Sequence, residues 1–184
     1  MSERSLQRIH ESVWIAPGAQ LYGRIEIGER SSVWPYCVIR CECESVTVGR
    51  GSNLQDFVMI HVDGGSGVAI GDFCTIAHRA TVHGATIEDE CLIGIGAVVM
   101  NGAVVGRGSI VAPGAVVTPG TRIPPHSVAA GVPARVVRTR DASAENRFNA
   151  LLYERNAAAY RRGEHRAWEG PEHERWLADQ RAGR

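Results

Sequence analysis

Aliphatic residues recur every six positions along most of this chain, and no other feature limits its possible folds so sharply. The series runs Ile15, Leu21, Ile27, Val33 and Ile39, resumes after a three-residue insertion at Val48, Leu54 and Ile60, and resumes after four further residues at Ile70, Ile76 and Val82. It then arrives one residue early at Ile87 and continues through Ile93, Val99, Val105, Val111, Val117 and Ile123. Four positions after most of these stands a small or β-branched residue, among them Ser31, Cys37, Ser52, Cys74, Ala80, Thr86, Cys91 and Ala97. One large and one small inward position in every six fits neither a helical stripe nor the alternation of an ordinary strand. It fits an all-β solenoid in which each side of a triangular coil is one hexad and the large residues stack in columns inside the prism. Eighteen such hexads give about six coils. Glycine usage agrees, since 18 of the 21 glycines precede residue 140, where tight corners call for residues without Cβ.

The six-residue pattern stops after residue 138. Asp141 or Ser143 is placed to cap a helix, Glu145 falls in its first turn, and Phe148, Leu151, Leu152, Arg155 and Ala159 follow at helical spacing up to Gly163. The expected organisation is a solenoid over residues 11–138, a helix over 139–163 lying along one face, and a segment 164–184 that is either a second short helix or a tail. A chain of 184 residues suits one core with such an appendage.

Composition narrows the chemistry. Twenty basic residues, all arginine, balance twenty acidic ones, which argues against nucleic-acid or membrane-surface partners. Without lysine, a Walker A loop and Schiff-base catalysis are excluded. No apolar run follows the N-terminal arginines and none later approaches ~18 residues, so a cytoplasmic protein is expected. Five cysteines in that setting favour free thiols. Cys37, Cys74 and Cys91 occupy small inward positions and read as packing residues. Cys41 and Cys43 form a Cys-x-Cys pair in the first insertion and are read as structural, with a redox or metal-binding role left open.

Three histidines have an informative phase. His61 follows the column residue Ile60 by one and His83 follows Val82 by one, and their separation of 22 residues is one 18-residue coil plus the four inserted residues. Both should point outward from adjacent coils of one face, about 4.8 Å apart, close enough to share an ion. His78 lies two after Ile76, on a different side. The economical arrangement is a subunit interface where a neighbouring copy supplies His78, and cyclic closure would repeat the site in a trimer. On phase alone, three solvated histidines remain an equal reading.

Asn53, Gln55 and Asp56 form an Asn-x-Gln-Asp motif, followed by His61 and then by His78 and His83 in AHRATVHGA. With these motifs, residues 11–138 resemble the γ-class carbonic anhydrases, a branch of the hexapeptide-repeat superfamily of left-handed parallel β-helices. The resemblance implies that handedness, a C-terminal α-helix packed alongside, and a homotrimer with three interfacial metal sites held by His61, His78 and His83. Zinc is the default ion, and Fe(II) or Co(II) is compatible with the same ligands. Three neutral imidazoles leave an open position where bound water can titrate near ~7, giving hydroxide for the reversible hydration of CO2 to bicarbonate. The resemblance also gives Gln55 a hydrogen bond to that water or to bicarbonate, pairs Arg40 with Asp56 across the subunit boundary, and uses Asn53 to brace the loop.

Two departures stand out. Arg40-Cys41-Glu42 replaces the family's Arg-Gly-Asp, so the supporting acid Glu42 is one methylene longer. The loop 62–69 offers only Asp63 where the most active members carry a proton-relaying glutamate, so slow or absent turnover is expected. Tyr153 and Tyr160 are candidates to reach over the pocket, with packing of a helix face the plainer reading. Two other functions compete: an acyl-CoA acyltransferase of the same superfamily using one histidine as general base, and an inactive metal-binding trimeric scaffold.

Overall fold

The computed structural model describes residues 6–182. Short strands stack in parallel, in-register rungs around three internal columns. Leu21, Ile39, Ile60, Val82, Val99 and Val117 form the first. Ile27, Val48, Ile70, Ile87, Val105 and Ile123 form the second. Ile15, Val33, Leu54, Ile76, Ile93, Val111 and Ala129 form the third. Apart from Leu21 and Ile15 at the N-terminal end, none of these side chains is more than 3% exposed. The third column has seven rungs, one turn more than the hexads indicated, because the last ends on Ala129 and an aliphatic count passes over alanine. The solenoid also starts before residue 11, since Gln7–Ile9 pairs with Ile25–Ile27.

The two insertions differ in kind. The first is no loop: Val38–Val48 is one continuous strand that turns from the first face to the second. It passes Gly23 so closely that a Cβ there would lie 1.8 Å from the Cys41 carbonyl oxygen. The second folds into a tight hairpin closed by an Asp63–Ser66 bridge.

At the corners a residue of positive φ precedes the small inward one, as in Tyr36 before Cys37, Phe57 before Val58 and Gly96 before Ala97. Thr86 departs from the expectation. Ala85 is buried in its stead and Thr86 is exposed, because that side of the coil is one residue short. One corner column is polar: the side chains of Ser31, Ser52, Cys74, Cys91 and Ser109 donate to the carbonyls of Gly49, Gly71, Glu88, Gly106 and Pro124 at 2.7–3.2 Å. Each buried hydroxyl or thiol is thereby satisfied.

Arg135–Thr139 turns back antiparallel against Ser127–Ala130, so residue 139 is strand and not helix. Two helices follow, α1 (Ser143–Arg161) and α2 (Gly170–Ala182). The N-cap position of the first falls on Ala142, without a side-chain cap, and Asp141 before it accepts from the Ser143 backbone N–H through Oδ1 at 2.9 Å. The buried residues of α1 that share one face are Asn146, Ala150 and Ala157, and of the stripe through Phe148, Leu151, Leu152, Arg155 and Ala159 only Ala159 is buried. A helix lying flush on a sheet needs small residues at the contact, and Phe148 turns instead to stack on Trp176 of α2, 5.7 Å between centroids. Tyr153 and Tyr160 pack edge-on against Trp34 at 5.4 and 5.1 Å. Asn146 Nδ2 latches α1 to the solenoid through the Glu90 and Ser109 carbonyls at 2.8 and 3.2 Å. Among the described residues no helix is long and apolar enough to cross a membrane.

Candidate metal centre

His61 and His83 sit opposite each other on adjacent rungs of the first face. Their ring centroids are 4.8 Å apart, and His61 Nδ1 lies 2.8 Å from His83 Nε2. The outer nitrogen of each ring has an acceptor for a partner. His61 Nε2 meets Glu42 Oε2 at 3.1 Å, and His83 Nδ1 meets Asn101 Oδ1 at 2.8 Å. A carboxylate or an amide oxygen only accepts, so the ring protons belong on these outer nitrogens and the inner pair is bare.

Two lone pairs facing each other across 2.8 Å repel unless a cation, or a proton moved onto one of them, stands between. Two metal–nitrogen bonds of ~2.0–2.1 Å in tetrahedral geometry would set the nitrogens about 3.3 Å apart, a spacing that a small ring rotation reaches. Burial first, and then Arg40 and His83, lower the His61 pKa, with Asp63 opposing. The ring is thus held in the neutral form that ligates metals.

His78 lies apart, at the corner that follows the third face, with 41% of its side chain exposed. Its Nδ1 meets Asp56 Oδ2 at 3.0 Å, which leaves Nε2 bare and 3.5 Å from the Tyr153 hydroxyl. Burial, followed by the charge of Asp56 and by Tyr160, pushes the Tyr153 pKa up to about 12, so that hydroxyl remains a donor. A polar chain buried under α1 fixes the backbone here. The His78 N–H donates to Gln55 Oε1 at 3.2 Å and Gln55 Nε2 to Asn53 Oδ1 at 3.0 Å. Asn53 Nδ2 then donates to Thr75 Oγ1, whose hydroxyl donates to Asn149 Oδ1, both at 3.0 Å.

Within one chain, several residues expected at the site have other partners. Asp56 pairs with His78 and Arg40 with Glu42, so Glu42 bridges Arg40 and His61. Gln55 is 3% exposed, and both of its amide ends serve the polar chain. Asp63 accepts from Asn101 Nδ2. Tyr160 packs on Trp14 and Trp34, and Tyr153 is the tyrosine that reaches His78. Sequence reasoning missed Asn101, which in Met-Asn-Gly reads as a turn residue at one more corner. Among the described residues no three His, Cys, Asp or Glu side chains of one chain are placed to hold a metal ion together: two imidazoles meet, and the third faces a cavity of about 450 Å³ walled by Trp34, Tyr153, Tyr160 and Trp168.

The parallel coils and their hexad columns define a hexapeptide-repeat protein. The family described as bacterial transferase hexapeptide (six repeats) matches residues 8–41 and 84–119. A hexapeptide transferase family protein from Anaplasma phagocytophilum superposes with a TM-score of 0.80 at 29% identity, covering 84% of this chain and 92% of that one. The "Probable carbonic anhydrase" of Methanocaldococcus jannaschii is 50% identical over 147 residues, 79% of this chain and 92% of that protein. "Gamma carbonic anhydrase 2, mitochondrial" of Arabidopsis thaliana is 39% identical over 71% of this chain, which spans 49% of that protein's length. The chain belongs to the γ carbonic anhydrase family.

Proposed function

We propose that this protein interconverts CO2 and bicarbonate at metal centres shared between the subunits of a homotrimer. One observation carries the reading. His61 and His83 present two bare nitrogens 2.8 Å apart on one face, while the bare Nε2 of His78 is held on another by Asp56. Two ligands from one copy and His78 from the next make a set of three neutral imidazoles, for which zinc is the default ion and Fe(II) or Co(II) an acceptable one. Such an ion, when bound, makes water nucleophilic at neutral pH toward an electrophilic carbon.

The chain's own residues orient the ligands. Glu42, Asn101 and Asp56 each hold the outer proton of one imidazole, as partners of metal-binding histidines do. Gln55 and Asn53 place the His78 backbone, and the Tyr153 hydroxyl stands as a donor at the cavity edge. The 62–69 loop holds a single carboxylate, and Asp63 is committed to Asn101 and to the Gly64 N–H. Proton export is therefore slow and turnover low. All five cysteines are unpaired, which suits a reducing cytoplasm.

Likeness to hexapeptide transferases favours the acyltransferase alternative only at the level of fold, and a general base needs no second imidazole beside it. Metal analysis and a CO2 hydration assay on the wild type, His61→Ala, His78→Ala and His83→Ala separate the readings. One metal per chain, lost in every variant together with hydration, is expected. Trimers mixed from His61→Ala and His78→Ala chains should recover part of the metal, and no recovery would rule out a shared site. Metal without hydration leaves a scaffold, and chelator-indifferent turnover of acyl-CoA leaves a transferase.

A further inference from the structure

We infer that Asp63 and Asn101 form a strap that sets the tautomer of His83, making Asn101 a positioning residue of the metal centre proposed above, on which this assignment rests. A neutral imidazole carries its proton on either nitrogen, and the partner of one nitrogen decides which is left bare. Were His83 protonated on Nε2, that N–H would point at His61 Nδ1, 2.8 Å away. The two rings would then hydrogen-bond to each other and close the site against a cation. Asn101 Oδ1, 2.8 Å from His83 Nδ1, draws the proton to the outer side.

Asparagine alone cannot enforce this, because an amide that flips presents a donor and favours the opposite tautomer. Asp63 prevents the flip. Its carboxylate only accepts, so Asn101 must turn Nδ2 toward it and Oδ1 toward His83. Asp63 is itself fixed: it exchanges backbone hydrogen bonds with Ser66 at 3.0 and 2.9 Å, and its Oδ1 accepts from the Gly64 N–H at 2.8 Å. The hairpin tip is tied down by Gly65 N–H donating to Glu44 Oε1 at 3.2 Å. It lies so close over Gly84 that a Cβ there would come within 3.0 Å of Ser66 Cβ. The four-residue insertion thus delivers a carboxylate to the next coil, and with both oxygens occupied Asp63 orients a ligand and does not carry protons.

The test is nitrogen-15 NMR of the imidazoles in the metal-free full-length protein, with zinc affinity measured by chelator competition. Wild-type His83 should be the Nδ1–H tautomer. Asn101→Leu and Asp63→Ala should shift it toward Nε2–H and weaken zinc binding roughly 10–100-fold, with melting temperature and oligomeric state unchanged. Combining Asp63→Asn with Asn101→Asp exchanges donor and acceptor along the strap and should restore both tautomer and affinity. A His83 that stays Nδ1–H in Asn101→Leu, or a swap that rescues neither property, overturns the assignment. If the wild type binds no zinc while the tautomer still switches, the strap stands and the metal reading falls.

Discussion

The coils from Gly28 to Leu92 and those from Gly94 to Ala129 share their columns and register and differ at their corners. In the later coils Gly96, Gly102, Gly108, Gly114 and Gly120 take the positive-φ positions, His126 takes the last, and the hexads run without interruption. In the earlier coils Gly51 and Gly84 take such positions at two corners, while Arg30, Tyr36, Phe57, Phe73, Arg79 and Glu90 hold the same conformation at the others, which costs an L-residue about 1–2 kcal/mol. Their side chains offset part of that cost through contacts. Tyr36 stacks on Phe57 at 5.1 Å, Arg147 lies 3.6 Å over the Phe73 ring, and Glu90 takes Arg107 at 2.8 Å. Both insertions, all three imidazoles and the Asn-x-Gln-Asp motif fall in these irregular coils. The regular half displays what a solenoid needs for itself and lends the site only Asn101, and the irregular half carries the rest of what the site adds.

Column truncations should break the comparison most sharply. Ile60→Ala and Ile93→Ala remove equally buried side chains and should each cost about 2–5 kcal/mol in denaturant unfolding. Only Ile60→Ala, next to His61, should also weaken binding of added zinc, and equal weakening in both variants would erase the distinction. Asn146→Ala takes the side-chain donor from the Glu90 carbonyl and leaves the Ser109 carbonyl with the Leu92 N–H alone, and should cost about 1–3 kcal/mol. Faster hydrogen exchange is expected across α1, with the affinity for added zinc unchanged.

Corner substitutions should have opposite signs in the two halves. Gly102→Ala, at φ +68° with no atom closer than 3.8 Å to the new Cβ, should destabilise by about 1 kcal/mol through backbone conformation alone. Arg79→Gly should stabilise by up to about 1 kcal/mol, relief of the corner being partly cancelled by a freer unfolded chain. Destabilisation by both would mean that the Arg79 contact with Phe57 outweighs the corner. The smallest expected effect is on thiol reactivity. Burial pushes the Cys91 thiol up to about 12 and raises Cys37, Cys74 and Cys41, whereas Cys43 is exposed. An alkylating reagent should therefore modify one thiol in the folded protein and five in denaturant, as counted by mass spectrometry.

The sequence by itself determined the prism and the pairing of His61 with His83. A solenoid's period is local geometry, so a residue's phase names its side of the triangle, and 22 residues equal one coil plus the second insertion. That the third histidine belongs to another face followed from the same count. Only the tertiary structure decided which partners aim the rings: Glu42 on His61, Asn101 on His83 and Asp56 on His78. Those contacts cross between rungs or depend on a hairpin whose path no periodicity prescribes. It also chose Ala150 and Ala157 over Leu151 and Leu152 as the buried face of α1, because a flat sheet selects for close approach, whereas helical spacing in the sequence records only where apolar side chains stand.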